Sequence, residues 1–307
     1  MLDLAIIGGG PAGLTAGLYA ARAGLSVELF EELFTGGQAG QTNIMENIIL
    51  QTEGISGPDF AMKMTEQAMH WGVVIRYEQV KSLQLQGEVK KIVTAADTYE
   101  ARCVLLSMGA KPRPLQLDVP GEERLTGRGV SYCATCDGTL YKGKSVAVVG
   151  GGTEALRDVV YLARLCDHVT LIHKDQTFEA NQALQKAVGA LSNVEILQPY
   201  VVRSIEGEQK VGGMIVQNME TDETRTLEVQ GIFVAIGSEV NTALVRGILP
   251  LDENGFILTD EEMTTGVPGV FAAGDIRKKT LRQVITAAAD GAIAAHSVQQ
   301  YLTSHKS

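Results

Sequence analysis

The stretch Leu4-Ala5-Ile6-Ile7-Gly8-Gly9-Gly10-Pro11-Ala12-Gly13 decides the fold. A short apolar run of strand length passes straight into G-x-G-x-x-G, and then into an alanine-rich segment that reads as a helix to about Ala23. That order of strand, turn and helix gives the glycines a meaning. Gly8 permits a tight turn, Gly10 lets the backbone approach a pyrophosphate, and Gly13 allows close helix packing. Pro11 and Ala12 open the helix, whose free N–H groups face the anion. The next strand, Ser26-Val27-Glu28-Leu29-Phe30, ends at Glu31-Glu32, where an acidic side chain accepts hydrogen bonds from a ribose. On these residues alone FAD and NAD fit equally well.

Working outward, the pattern recurs. Ser145-Val146-Ala147-Val148-Val149 leads into Gly150-Gly151-Gly152-Thr153-Glu154-Ala155, a helix through Arg164 and a strand His168-Val169-Thr170-Leu171-Ile172. The chain therefore reads as α/β with two Rossmann-like dinucleotide-binding domains. Near the carboxyl end, the run from Val267 to Asp275 reads as a strand ending in Gly274-Asp275, whose carboxylate either bonds ligand hydroxyls or caps the segment that follows. A helix-like run from Arg282 to about Tyr301 comes next.

Just before the second glycine turn stands Tyr132-Cys133-Ala134-Thr135-Cys136-Asp137. Two thiols at Cys-x-x-Cys spacing close a small disulfide ring reversibly and pass two electrons as dithiol chemistry. The same spacing serves as half of a zinc site, but zinc needs four ligands. Cys103 and Cys166 stand alone in apolar stretches, and no second Cys-x-x-Cys completes a cage. The expectation is a redox pair and no metal. His70, His168, His296 and His305 show no ligand spacing, and Trp71 with Gly72 reads as a helix end.

At 307 residues the chain is long enough for two ordinary cores, and 45% hydrophobic with 20% charged residues excludes a disordered chain. A net charge of −10 with scattered basic residues argues against a nucleic-acid partner. No apolar run reaches the length of a membrane span, and no signal peptide is expected at the amino terminus. Four cysteines, two of them in a redox-type pair, fit a reducing compartment, so the expected location is the cytoplasm.

In family order, the motifs are the first G-x-G-x-x-G, Gly36-Gly37-Gln38, Glu46-Asn47, Cys133-Ala134-Thr135-Cys136-Asp137, G-x-G-x-x-A, and Gly269-Val270-Phe271-Ala272-Ala273-Gly274-Asp275 followed by Arg282-Gln283-Val284. Taken together they resemble the low-molecular-weight thioredoxin reductase family over the whole chain. The resemblance implies an FAD site lined by Gly8, Gly10, Pro11, Ala12, Gly13, Glu31 or Glu32, Gly37, Gln38, Asn47, Gly109, Gly274, Asp275, Arg282, Gln283 and Val284. It implies a discontinuous FAD domain, residues 1–113 and 243–307, with a pyridine-nucleotide-type domain, 114–242, inserted between hinges near Arg113-Pro114 and Asn241-Thr242. It further implies a homodimer that reduces thioredoxin, with Cys136 facing the flavin, Cys133 as the interchange thiol and Asp137 as the general acid. Asp137 before Gly138 is also a natural turn residue.

The departures from the family bear on the electron donor. Where the family shows His-Arg-Arg and a third arginine four positions on, this chain reads His173-Lys174-Asp175-Gln176-Thr177-Phe178-Glu179. A 2′-phosphate beside two carboxylates is repelled by roughly 1–4 kcal/mol per close pair. The expected donor is therefore not NADPH. NADH is favoured, its free 2′-hydroxyl meeting Asp175 in a second-nucleotide site made by Gly150, Gly152, Ala155, Lys174 and Asp175; reduced ferredoxin is the alternative. Ile48-Ile49-Leu50-Gln51 replaces an aromatic-Pro-Gly run and Ser107-Met108-Gly109 replaces Ala-Thr-Gly, both read as neutral repacking with Met108 filling a gap. Two rivals share the fold: an FAD-dependent dithiol oxidase and a flavin-loaded interaction protein.

Overall fold

The computed structural model describes residues 1–42, 44–115 and 118–305. The first element is β1 (Leu2–Ile7), followed by α1 (Pro11–Arg22), β2 (Val27–Glu31), α2 (Gly57–His70), β3 (Val74–Tyr77), β4 (Val80–Gln84), β5 (Lys90–Thr94), β6 (Thr98–Leu106) and β7 (Ala110–Pro112). Next come α3 (Glu122–Leu125), β8 (Val130–Ser131), α4 (Ala134–Asp137), β9 (Ser145–Val149), α5 (Thr153–Leu162), β10 (His168–Ile172), α6 (Gln182–Gly189), β11 (Val194–Leu197), β12 (Tyr200–Glu206), β13 (Gly213–Asn218), β14 (Thr224–Leu227) and β15 (Gly231–Val234). The chain closes with β16 (Ser238–Val240), β17 (Val270–Ala272) and α7 (Val284–Ser304).

Two compact units divide these elements, Met1–Lys111 with Glu239–Ser307, and Pro112–Ser238. In the first unit the sheet order is β3-β2-β1-β6-β5-β4. Strand β6 forks: its first half pairs antiparallel with β5, and its last three residues pair parallel with β17. Alternation along β1 sorts the core to the two faces of this sheet. Leu4 and Ile6 pack with Leu14, Ala16, Ala20, Ala294 and Val298 on the helical side, while Ala5 and Ile7 pack with Leu83, Leu85, Ile92 and Ile257 on the other. Helices α1 and α7 approach closely because position 291 is bare: a Cβ there would lie 2.2 Å from the Ala12 carbonyl oxygen.

The second unit repeats the plan with an all-parallel sheet, β11-β10-β9-β15-β8, and an antiparallel sheet β12-β13-β14. Val146 and Val148 face α5 through Leu156, Val159 and Leu162. Ala147 and Val149 face Val202, Met214, Val216 and Leu227 on the other side. Strands β9, β10 and β15 are buried on both faces, so they read as continuous apolar runs.

Boundaries expected from the sequence shift where local bonds decide. The last helix starts at Val284 because Gln283 caps it, its N–H donating to Thr286 Oγ1 at 3.2 Å in a capping box. Helix α5 stops at Leu162, short of Arg164. The chain divides at Lys111/Pro112 and Ser238/Glu239, earlier than the expected cuts near Arg113-Pro114 and Asn241-Thr242. Thr242 is buried and donates its hydroxyl to the Gly255 carbonyl at 3.1 Å, which ties it into the first unit. Arg113 N–H donates to the Gly237 carbonyl at 3.0 Å within the second.

One buried carboxylate organises the end of the first unit. Asp290, the sole acidic residue of α7, accepts from Gly274 N–H at 3.0 Å, from Arg277 Nε at 2.8 Å and Nη2 at 2.9 Å, and from Lys279 Nζ at 2.8 Å. Burial alone raises its pKa, but the bonds from Arg277 and Lys279 outweigh that and hold it below the ordinary value of 3.8. A carboxyl held low in the folded state adds stability above its unfolded pKa and loses it as pH falls through the folded one. Asp290→Ala, which leaves half-buried Arg277 and Lys279 without their carboxylate, is expected to cost about 3 kcal/mol at pH 7. In urea titrations at pH 7 and pH 3, the gap between wild type and Asp290→Asn should narrow at the lower pH; an unchanged gap would refute the ionised network.

Candidate functional site

The first glycine turn is shaped by what it cannot accommodate. Gly8 has φ +105°, and a Cβ there would lie 2.6 Å from the Ser107 carbonyl oxygen; one on Gly13 would lie 2.0 Å from the Gly8 carbonyl oxygen. Gly10, by contrast, has nothing within 4 Å of a would-be Cβ and stands as the N-cap of α1 ahead of Pro11. The turn is thus closed on its inner side and open toward the helix N-terminus. Ser107, read from the sequence as neutral repacking, is a strut: its buried hydroxyl lies 3.0 Å from the Ile7 carbonyl and 2.9 Å from that of Gly8. Met108 packs against the core beside it, and Gly109 turns the chain with φ +68°.

Glu31 is engaged with the backbone of the turn. Its Oε2 accepts from Gly9 N–H at 2.8 Å, and its Oε1 from the N–H groups of Glu32 at 2.9 Å and Leu33 at 3.3 Å. Glu32 is exposed. Gly36 N–H donates to the Gly9 carbonyl at 2.8 Å, and a Cβ on Gly37 would lie 3.3 Å from the Gly10 Cα, so this loop folds over the turn, with exposed Gln38 beyond it. Asn47 and Gln283, far apart in sequence, are joined by a 2.9 Å hydrogen bond from Asn47 Nδ2 to Gln283 Oε1, next to half-buried Val284. A Cβ on Gly274 would lie 2.8 Å from that of Ala12, which sets Gly274-Asp275 against the first turn of α1.

Two groups at this locus are buried without a protein partner among the described residues, Asp275 Oδ1 and Arg282 Nε. Burial pushes the Asp275 carboxyl up, against the pull of Lys279 and Arg282. The Arg282 guanidinium lies 4.1 Å over the Phe256 ring. A stranded acceptor, a stranded donor and an open helix N-terminus suit a ligand that carries hydroxyls and phosphates. FAD has both.

In the second unit, Cys133 and Cys136 form a disulfide with Sγ atoms 2.09 Å apart. Strand β8 delivers the chain to Cys133, the N-cap of the single turn α4, and the N–H groups of Cys136 and Asp137 both donate to the Cys133 carbonyl, at 3.2 and 3.1 Å. Cys133 is half-buried and Cys136 exposed. The turn sits on α5 because Gly138 leaves room for Tyr161, whose ring would be 2.8 Å from a Cβ there. Sequence reasoning missed Ser131, which donates to Asp137 Oδ2 at 2.7 Å and accepts from Cys133 N–H at 3.1 Å. It also missed Glu122, whose buried Oε1 accepts from Tyr132 Oη at 2.8 Å and Leu115 N–H at 2.7 Å. Burial, and then the bond to Glu122, raise the Tyr132 phenol.

The second glycine turn repeats the first. A Cβ on Gly150 would lie 2.3 Å from the Ala235 carbonyl oxygen and 2.9 Å from the Cβ of Ala155, while Gly152, N-cap of α5, faces open space. The loop after β10 lies over it: the buried His173 ring covers Gly151, and Glu179 N–H donates to the Gly151 carbonyl at 3.0 Å. His173 Nε2 bonds the Thr177 carbonyl at 3.1 Å and stands 3.8 Å from Asp175 Oδ2; Gln198 Nε2 donates to the Asp175 carbonyl at 3.2 Å. Lys174, Asp175 and Glu179 present their side chains to solvent. The FAD candidates therefore gather in one unit, and the cysteine pair with the second turn in the other.

Residues 2–291 match the family described as pyridine nucleotide-disulphide oxidoreductase. The chain is 42% identical over 301 residues to a thioredoxin reductase of Mycolicibacterium smegmatis, covering 98% of this chain and 96% of that one. It is 41% identical over 305 residues to the bifunctional thioredoxin reductase/thioredoxin of Mycobacterium leprae (strain TN), covering 99% of this chain and 66% of that protein. Among solved structures, thioredoxin reductase from Streptococcus pyogenes MGAS5005 is similar with a TM-score of 0.93 at 41% identity, with 99% of both chains covered. The family implies FAD and a nicotinamide cofactor, and the stranded groups of Asp275 and Arg282 suit the former. The chain belongs to the pyridine nucleotide-disulphide oxidoreductases, and within them to the low-molecular-weight thioredoxin reductases.

Proposed function

We propose that this chain reduces thioredoxin through the Cys133/Cys136 pair, with NADH rather than NADPH as the donor. The observation that carries the reading is the disulfide next to Asp137, in a turn bonded on both sides by Ser131. FAD, when bound, supplies a two-electron carrier between a hydride donor and the disulfide. Gly10 and the head of α1 would hold its pyrophosphate, and Asp275 and Arg282 would meet its hydroxyls and phosphates. Once the pair is reduced, the Cys133 thiolate attacks a sulfur of the thioredoxin disulfide, and Asp137 gives its proton to the departing thiolate. Cys136 then attacks Cys133, which reforms the internal disulfide and frees reduced thioredoxin. By its likeness to the family, the protein works as a homodimer in the cytoplasm.

The donor preference rests on the loop after β10. Lys174 is its one cation between His173 and Ala180, and Asp175 and Glu179 are acidic and exposed. Exposure screens their repulsion of a 2′-phosphate toward the low end of the range given above, but the bidentate arginine contacts are lacking as well. The loop is held at Gly151, Thr177 and Gln198, so it presents these charges in a fixed arrangement.

The purified protein should be yellow, with FAD bound to each chain, and Gly10→Leu should abolish that binding by filling the open space over the turn; a Gly10→Leu protein that keeps its flavin would exclude the assignment. Cys133→Ser should leave donor-driven flavin reduction intact and stop thioredoxin turnover, whereas Cys136→Ser should trap thioredoxin on Cys133 as a stable mixed disulfide. Turnover surviving either change would rule out the dithiol relay. In stopped-flow, NADH should reduce the flavin faster than NADPH, and Asp175→Arg with Glu179→Arg should reverse that order. Rapid reduction by ferredoxin, with neither nicotinamide effective, would sink the NADH reading.

A further inference from the structure

Ser131 ends β8 and is buried, yet its hydroxyl is the meeting point of the redox turn. It stands 2.7 Å from Asp137 Oδ2, 3.1 Å from the Cys133 nitrogen and 3.4 Å from the Cys133 carbonyl oxygen. A serine hydroxyl has one proton and two acceptor lone pairs. With Asp137 ionised, that proton goes to Oδ2 and the oxygen accepts from Cys133 N–H. With a proton on Oδ2, the Asp137 O–H turns to donate to Ser131 Oγ, which still accepts from Cys133 N–H and swings its own hydrogen to the Cys133 carbonyl. The three partners are satisfied in both states, and the switch needs only rotation of a hydroxyl.

We propose that Ser131 is a positioning residue for proton transfer, a hydroxyl rotor that keeps Asp137 bonded and aimed beside Cys133 whether or not Asp137 carries its proton. This rests on the reading of Asp137 as general acid. In the step concerned, the Cys133 thiolate forms a bond to one thioredoxin sulfur, the thioredoxin S–S bond breaks with its electron pair on the leaving sulfur, and that thiolate takes the Asp137 proton. The carboxylate left behind is the form that accepts from Ser131. The other ionisable groups nearby are Cys133 and Cys136 themselves when reduced, Tyr141, whose phenol is raised by burial and by Asp137, and Tyr161 of α5, whose ring meets the adjoining Gly138; α5, the helix packed against α4, also carries the charged residues Glu154, Arg157 and Asp158.

The test is the pH profile of kcat for thioredoxin reduction by the FAD-loaded enzyme. Donation from Ser131 favours the charged carboxylate, so removing it raises the Asp137 pKa, and an acid with a higher pKa keeps its proton to higher pH. Wild type should show an alkaline limb that Asp137→Asn flattens. Ser131→Ala should move that limb up by about one pH unit, the excess of the charge-assisted bond to the carboxylate over the neutral bond to the carboxyl, and lower the plateau about tenfold; Ser131→Thr should restore both. Ser131→Ala combined with Asp137→Asn should be no slower than Asp137→Asn alone. Should Ser131→Ala fail to retain FAD, Ser131→Cys, with a weaker donor of similar size, should move the limb in the same direction by less. A limb that stays in place in the serine variants while Asp137→Asn still removes it would overturn the role of Ser131 alone; a profile indifferent to Asp137→Asn would overturn the general acid, and the rotor with it.

Discussion

A Cβ at position 13 would fall 2.0 Å from the carbonyl oxygen of Gly8, so the first turn of α1 presses on the end of β1 only while that position is bare. Much of the first unit follows from this contact. It aims the helix N-terminus at the open space over Gly10, and Gly274 lies against Ala12 in that first turn. The second unit solves the same problem with Ala155 in place of a glycine, at the cost of a strict glycine at 150. Two cores of similar plan thus carry two turns of similar build.

Around these turns, acidic side chains hold backbone. Glu31 holds Gly9, Glu122 holds Leu115 and Tyr132, and Asp290 holds Gly274 with Arg277 and Lys279. In each case a carboxylate takes up N–H or O–H groups that burial would otherwise leave unsatisfied, and in each case the segment it fixes borders a turn or the redox pair. Those carboxylates are bonded within the protein, whereas Asp275 keeps one buried oxygen, Oδ1, without a protein partner among the described residues.

The loop after β10 carries the departures from the family on which the proposed donor preference rests. Its backbone bonds to Gly151, His173 and Gln198 fix the loop's path, so substituting Asp175 and Glu179 changes charge without needing a new fold. Exposed side chains on a fixed loop are where electrostatics can be tuned at little cost in stability.

Both glycine turns, the strands Ser145–Val149 and His168–Ile172, and the Cys133/Cys136 pair were legible in the sequence because each is a local pattern: strand period, turn chemistry and cysteine spacing lie within a few residues of one another. Tertiary structure decided the rest. Ser107 looks like repacking until β6 brings it under Gly8, and Asp290 is only an odd charge on an alanine-rich helix until Gly274, Arg277 and Lys279 close around it. Thr242, expected at a hinge, proves buried against Gly255, and Asn47 bonds Gln283 from the far end of the chain. The physical reason is the same in every case: a hydrogen bond between residues apart in sequence leaves no periodic trace in the chain, because only the folded backbone brings donor and acceptor within about 3 Å.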